Sequence, residues 1–194
     1  MSNLVKALKG LLLDEAELIT ALAAVLAYAS KTGRISYNEV AEIAGDSPED
    51  VLLLGNEYRL LLPTRVEKSG AWEDRQFLCR PGESYELPTV VRYLVQRANS
   101  TGHWSPAKAI ADVFQEADEP AWQQMPGLIG ELGKCGRNGQ VSATQIGQIC
   151  AVAGLGQKVD VLIAELKAAG VMSPKLGSLA EVAQAGSPLY ELNP

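Results

Sequence analysis

The side chains best suited to metal binding or redox chemistry are few in this chain and widely spaced. His103 is the only histidine, and the three cysteines, Cys79, Cys135 and Cys150, form no Cys-x-x-Cys pair. A zinc site needs several His or Cys ligands at short spacing, and a disulfide framework needs an even number of cysteines. We therefore expect neither, and we predict reduced core thiols.

Catalytic pairs are not indicated either. No cysteine has a sequence context typical of a nucleophile that His103 would activate, and His103 is expected in a solvated turn beside Trp104. Adjacent acidic residues are predicted at helix starts or in a hairpin, where the helix dipole or solubility explains them. These pairs are Asp14-Glu15, Glu49-Asp50 and Glu73-Asp74. We expect a protein without enzymatic activity.

A glycine-containing segment before a predicted helix is the nearest approach to a phosphate-binding loop. Gly154-Leu155-Gly156-Gln157-Lys158 has two glycines and a lysine, but it lacks the longer loop and the following Ser or Thr of a P-loop. We predict a turn between two helices, at which the second helix N-terminus would accept at most one backbone phosphate. No cofactor is expected.

The strongest pattern in the chain is an internal repeat, which predicts where helices and strands begin. Gly33-Arg34-Ile35-Ser36 recurs as Gly139-Gln140-Val141-Ser142, a shift of 106 residues (139 − 33), and the match continues in phase. In each copy an apolar residue and a serine are followed by two variable residues and then by Glu or Gln. After these come an apolar residue, a small residue, a residue of any type and a second apolar residue. The repeat predicts two units with the same local structure.

Each copy contains the signals for a helix start. Ser36 and Ser142 are followed three residues later by Glu39 and Gln145, which is the spacing of a capping box. The apolar residue before each serine suits a short strand. Gly147, like the small residue at the same place in the first copy, is expected to let a neighbouring helix approach closely.

Apolar helices before each copy, and amphipathic helices and hairpin signals after it, complete each predicted unit. In the first, the turn residues Ser69-Gly70-Ala71-Trp72 predict a β-hairpin between strands at 64–68 and 75–80. Between the copies, the segment 83–119 is predicted to form a helical connector packed on the second unit. The predicted helices are 15–31, 48–62, 88–98, 105–116, about 121–134 and 157–169, and the strands of the second hairpin are 171–175 and 188–192.

With this order of elements the chain resembles tandem winged-helix proteins. The resemblance covers residues 15–82 and 120–194 and rests on two copies in phase, each followed by a hairpin signal. It implies a mainly α fold with small β-hairpins (α+β), with winged-helix domains at 1–82 and 120–194 and the helical connector 83–119 between them. The alternative is two unrelated helical hairpins that share a cap by chance.

The two copies differ in charge, and the second copy is the better candidate for DNA binding. The net charge is −6 and the pI about 4.9, and residues 1–87 hold 9 basic and 14 acidic side chains against 8 and 9 in the rest. Winged-helix proteins that read DNA place their third helix in the major groove and the wing on the backbone. Glu49 and Asp50 open that helix in the first copy and would repel phosphate.

Two sets of candidate contact residues follow. For nucleic acid they are Lys134, Arg137, Gln157, Lys158, Lys167 and Lys175 of the second copy. For a protein interface they are Trp72 and Arg75 in the first predicted wing, where Trp72 suits an exposed anchor and core burial equally well.

The scarcity of catalytic residues and the acidic charge together favour a non-enzymatic adaptor or regulatory subunit that acts through protein–protein interaction or self-association. Similar tandem units occur in accessory subunits of chromosome-condensing complexes and in membrane-sorting complexes, where the fold serves assembly. The alternative is a DNA-binding transcriptional regulator that uses the second unit. The apolar run Leu11–Leu13 is too short for a signal sequence or a membrane span, so we expect a cytoplasmic protein with no membrane or metal partner.

Overall fold

A computed structural model describes residues 2–12, 15–69, 71–136, 138–176 and 186–193. The chain forms two compact units: unit 1 is Met1–Glu67 with Arg75–Ala109, and unit 2 is Lys68–Asp74 with Ile110–Pro194. Both are mainly α-helical with one small antiparallel sheet, which confirms the predicted fold class. The predicted division had its boundaries after residues 82 and 119.

Unit 1 is organised around one helix, α2, which packs against the other helices of the unit. Its buried side chains include Leu22, Val25 and Leu26, and its neighbours are α1, α3, α4 and α5. The elements are α1 (Asn3–Lys9), α2 (Ala16–Ala29), β1 (Arg34–Ser36), α3 (Tyr37–Ala44), α4 (Pro48–Glu57), β2 (Leu62–Pro63), β3 (Ser84–Glu86) and α5 (Thr89–Thr101). The last strand lies between the first two, and Ile35 is opposite the buried Tyr85.

Unit 2 repeats this order. Its sheet also has the last strand in the middle, with Val141 opposite Tyr190. The elements are α7 (Met125–Cys135), β4 (Gln140–Ser142), α8 (Ala143–Val152), a 3-10 turn (Gly156–Lys158), α9 (Val159–Ala168), β5 (Met172–Pro174) and β6 (Leu189–Leu192), with a further 3-10 turn at Trp72–Asp74. Helix α6 (Pro106–Glu116) begins in the range of unit 1 and continues in that of unit 2.

The two copies of the repeat have equivalent bounds. Helix α2 ends at residue 29 and α7 at residue 135, and β1 and β4 begin at residues 34 and 140, so that both pairs differ by 106. The Gly154 segment forms the turn between α8 and α9, as predicted. The predicted sequence of helix, strand, helix, helix and two strands is therefore present in each unit.

Both predicted capping boxes are formed. Ser36 Oγ accepts a hydrogen bond from the Glu39 N–H at 3.3 Å, and Glu39 Oε2 accepts one from the Ser36 N–H at 2.8 Å. Ser142 and Gln145 make the same pair of bonds at 3.2 and 2.9 Å. These bonds satisfy amide groups that the first helical turn leaves without partners.

The first hairpin differs from the prediction. Of the residues predicted as its strands, Val66 and Arg75 form one isolated bridge, and the paired strands of unit 1 lie at 62–63 and 84–86. The Asp74 carboxylate accepts hydrogen bonds from the Lys68 and Ser69 amides, which closes a loop in place of a ladder. The segment 72–74 is a 3-10 turn that belongs to unit 2.

Three further predictions were wrong in part. Helix α5 packs on α1 and α2 in unit 1, whereas the connector was expected on the second unit. A Cβ atom added at Gly147 would meet nothing within 4 Å, so the close helix approach expected there is not made within the described structure. Cys150 is a buried thiol as predicted, but Cys135 is exposed and Cys79 is half-buried.

Candidate interaction surface

The residues predicted to contact nucleic acid are distributed over several elements of unit 2. They are Lys134 in the last turn of α7, Gln157 and Lys158 in the 3-10 turn, Lys167 in the last turn of α9, and Lys175 just after β5. Arg137 lies outside the described residues. Lys175 is half-buried and the other four are exposed.

Carboxylates lie beside most of these lysines. The ion pairs are Lys134 with Glu131 at 2.8 Å, Lys158 with Glu119 at 3.6 Å, and Lys175 with Glu73. The hydrogen bond from the ammonium of Lys134 to Glu131 raises the pKa of that ammonium. A lysine already paired with a carboxylate adds little net positive charge to a surface, and phosphate binding depends on that charge.

The Lys158 pair lies beside a second carboxylate, that of the half-buried Glu165. The Glu119 side chain is 4% exposed, and its Oε1 also accepts a hydrogen bond from the Ala121 N–H at 2.8 Å. On α9, burial and the neighbouring Glu119 raise the pKa of Glu165, against a smaller lowering by Lys158. Glu165 Oε2 is buried and has no hydrogen-bond partner in the described part of the chain.

The two candidates for a protein interface take part in internal contacts. Trp72 is 6% exposed in unit 2, and its backbone N–H donates a hydrogen bond to Ser173 Oγ at 2.9 Å. Of the two alternatives for Trp72, the structure therefore shows burial. In unit 1, Arg75 Nη1 donates to Pro63 O and to Glu86 Oε1, both at 2.8 Å. Neither side chain is presented as an anchor for a partner.

An apolar groove of about 460 Å³ lies on unit 2 between α7 and α8. Its wall on α8 includes Ile149, Val152 and Ala153, and Val152 is 91% exposed. The wall on α7 includes Gly127, Leu128 and Glu131, and the glutamines Gln124 and Gln148 complete it. An exposed apolar groove with a polar rim is typical of a surface that a partner covers.

Helix α7 presents glycines beside this groove. Gly127, Gly130 and Gly133 are exposed, and a Cβ atom added at any of them would meet nothing within 4 Å. Glycine disfavours a helix interior, and here no neighbouring group of the described chain requires it. This surface was not predicted from the sequence, although Gly127, Gly130 and Gly133, spaced by three residues in the helix predicted at about 121–134, are a signal for it.

Comparison with known proteins gives a family and no activity. A model of an uncharacterised protein family matches residues 2–194. The chain belongs to this family. No curated protein matches it, and no solved structure matches it. The family model covers both units, so the groove and both sheets lie within the matched region.

Unit 1 of this family member has a second, more polar cavity of about 390 Å³. It lies between α1 and the end of α5, and its lining includes Lys6, His103 and Trp104. His103 is exposed, as expected for a solvated turn, and its backbone N–H donates a hydrogen bond to Thr101 Oγ1 at 3.3 Å. No carboxylate or thiol lines this cavity among the residues that the structure describes.

Two further features are absent from the residues that the structure describes. Within the described ranges, no three His, Cys, Asp or Glu side chains are grouped so that they would hold a metal ion. None of the helices seen in those ranges has the length and apolarity that crossing a bilayer requires.

Proposed function

We propose that this chain is a cytoplasmic, non-enzymatic tandem winged-helix protein that acts as an adaptor or regulatory subunit through protein–protein contact. The element order supports the winged-helix assignment, because each unit has a three-stranded sheet with its last strand in the middle. The order of helix, strand, helix, helix and two strands in each unit is the order on which the resemblance in the sequence rests. The surface for protein contact is the groove of unit 2.

The exposed apolar groove is the observation that carries the proposal. Val152 is 91% exposed at the end of α8, and the Leu128 and Ile149 side chains line the groove beside it. An exposed valine by itself is ordinary, but a connected apolar groove between two helices loses contact with water when a partner covers it. Its polar groups are mainly neutral amides, which suit a protein surface better than a phosphate chain.

DNA binding through unit 2 is the alternative function. Lys167 and Gln157 are exposed on the elements that would approach DNA. Three of the other candidate lysines, however, are paired with carboxylates, as described above. Breaking such pairs to bind phosphate would cost part of the electrostatic gain.

The test combines DNA titration with protein capture. Purified protein is titrated with mixed-sequence duplex DNA at about 50 and about 200 mM salt, and binding to a multi-phosphate contact would weaken by about 10³-fold or more over that range. We expect no binding of this kind. In parallel, immobilised wild-type protein and the Val152→Glu variant are exposed to a cell extract, and a stoichiometric protein partner is expected on the wild type alone.

Val161→Glu is the matched control. Val161 is 55% exposed on α9 and does not line the groove, so the variant adds the same charge elsewhere on unit 2. It should retain the partner. Tight, salt-sensitive binding to DNA, or capture that Val152→Glu leaves intact, would contradict the proposed function.

A further inference from the structure

The edge strand β5 of unit 2 differs from its counterpart β2 in unit 1 at a buried position. The strand pairs have the same register, Leu62 with Glu86 and Pro63 with Tyr85 in unit 1, and Ser173 with Glu191 and Pro174 with Tyr190 in unit 2. Ser173 therefore takes the place of Leu62, and both are 2% exposed. Lys175 takes the place of Thr64, because their backbone amides donate to the equivalent carbonyls of the central strands. Unit 2 thus has a buried hydroxyl and an ammonium where unit 1 has neither.

Both of these side chains contact one short segment, residues 71–74, which we call the strap. The backbone N–H of Trp72 donates a hydrogen bond to Ser173 Oγ at 2.9 Å. The carboxylate of Glu73 pairs with the ammonium of Lys175 and accepts a hydrogen bond from the Leu176 N–H at 2.9 Å. A buried hydroxyl is costly without a hydrogen-bond partner, and the strap supplies one. The strap therefore accounts for the changes at these two positions of the repeat.

The strap is distant in sequence from β5 and has hydrogen bonds of its own. Trp72 precedes Ser173 by 101 residues, and the chain on either side of the segment 68–74 belongs to unit 1. The Asp74 N–H donates to Ala71 O at 3.1 Å, and the Asp74 carboxylate accepts from the amides of residues 68 and 69. These bonds shape the turn without help from β5. The strap is therefore preorganised, which lowers the entropy lost when it docks.

The contacts of the strap define what the end of β5 recognises. Ala71 is 0% exposed and Trp72 is 6% exposed, so that a small residue and an indole are both buried. Ser173 accepts a main-chain N–H, while the Lys175 ammonium and the Leu176 N–H together bind a carboxylate. Peptide recognition commonly combines main-chain hydrogen bonds with sites for particular side chains. A peptide with an aromatic residue directly followed by an acidic one would make all of these contacts.

We propose that the end of β5 is a recognition site for a peptide in which an aromatic residue precedes an acidic one, and that the strap occupies this site as an autoinhibitory contact. The inference goes beyond the proposed function, which concerns the groove between α7 and α8. A tethered occupant acts at an effective concentration on the order of millimolar, so a partner peptide must displace the strap. The apparent affinity of the chain for such a peptide is reduced by the fraction of molecules in which the strap is undocked.

Binding of a labelled peptide with the sequence of residues 68–74, followed by fluorescence anisotropy, tests the proposal on the full chain. Trp72→Ala removes the indole of the strap and leaves Ser173 and Lys175 in place. We expect this variant to bind the peptide more tightly than the wild type by about tenfold or more, because the tethered occupant is weakened. A peptide with alanine in place of its tryptophan should bind neither protein. Trp104→Ala, which changes a half-buried tryptophan of unit 1, is the control and should bind the peptide like the wild type.

A second substitution tests whether the site recognises the acid of the peptide. In the Trp72→Ala chain, Lys175→Met should weaken peptide binding by about tenfold, because a charge-assisted hydrogen bond to the peptide carboxylate is lost. Lys167→Met removes an exposed lysine of α9 and should leave peptide binding unaltered. Equal effects of the two lysine changes would mean that only the net charge matters, and the recognition site would then be wrong.

Urea unfolding of each variant shows whether unit 2 remains folded. If Trp72→Ala unfolds it, the comparison is made with Glu73→Gln, which keeps the indole, removes the ion pair with Lys175 and should also raise the affinity for the peptide. A folded variant that binds the peptide no more tightly than the wild type overturns the proposal, as does equal binding of the peptide without tryptophan. The strap would then serve only the stability of unit 2. None of these measurements involves Val152, so capture of a partner by the groove succeeds or fails independently.

Discussion

At the scale of single residues, the neighbouring carboxylates of Glu119 and Glu165 in unit 2 predict how the free energy of unfolding depends on pH. Burial and Glu119 raise the pKa of Glu165. Between its ordinary value of 4.5 and the folded-state pKa, the folded protein retains a proton that the unfolded chain has released. The stability contributed by that proton is fully present below 4.5 and is lost as the pH rises through the folded-state pKa.

Glu165→Gln should therefore stabilise unit 2 at neutral pH, by about 1 kcal/mol, because a neutral amide replaces a half-buried carboxylate and can donate to Glu119. The gain should shrink toward zero as the pH falls to 4.5. Urea unfolding across this pH range measures it. Glu116→Gln, which removes an exposed carboxylate on α6, is the control and should have little effect at any pH. Destabilisation by Glu165→Gln at neutral pH would contradict the prediction.

Arg75 gives a second prediction at this scale, because it was a candidate for a protein interface and instead has internal partners. Its guanidinium bonds Pro63 O and Glu86, and its side chain is 14% exposed. Arg75→Met should lower the free energy of unfolding by about 2 kcal/mol, since two charge-assisted hydrogen bonds are lost. Denaturant unfolding of unit 1 provides the measurement.

Arg80→Met is the comparison for Arg75→Met. Arg80 pairs with Glu83 at 3.3 Å with a side chain that is 59% exposed, and such surface pairs contribute about 0–1 kcal/mol. If both variants lower the free energy of unfolding equally, the Arg75 contacts stabilise no more than a surface pair, which contradicts the prediction. If Arg75→Met keeps full stability and loses partner capture, Arg75 acts at an interface and not within unit 1.

At the scale of elements, the capping boxes differ in one chemical respect: the first uses Glu39 and the second Gln145. Hydrogen bonds from the Ser36 amide and hydroxyl, and from Tyr28, lower the pKa of Glu39. The stabilisation from its carboxylate is present above the ordinary value of 4.5 and is lost as the pH falls through the folded-state pKa.

Glu39→Gln should convert the first box to the chemistry of the second. At neutral pH we expect a loss of about 0.5 kcal/mol, the usual contribution of a carboxylate in the first turn of an exposed helix. In acid the loss should disappear. Urea titrations at both pH values measure it, with Glu42→Gln, an exposed residue of the same helix, as the reference. A loss that persists after Glu39 is protonated would mean that its charge is irrelevant.

These elements also show which parts of the fold the sequence could predict. The helix starts at Ser36 and Ser142 were predictable because the two partners of each box are three residues apart. The first hairpin was not, because β3 is placed by pairing with β1, about fifty residues earlier in the chain, and such long-range pairing leaves no local signal. Helix α1 was missed for a similar reason, since seven residues need packing on α2 and α5 to remain helical.

At the scale of the whole molecule, the candidate surface depends on what the fold leaves uncovered. The sequence predicted an apolar helix at about 121–134, but not the exposed groove that α7 forms with α8. Similarly, the lysines of unit 2 were visible as residues, whereas their carboxylate partners at positions 73 and 119 are distant in sequence. Coverage and charge pairing are properties of the folded chain, so they could not be predicted from local patterns.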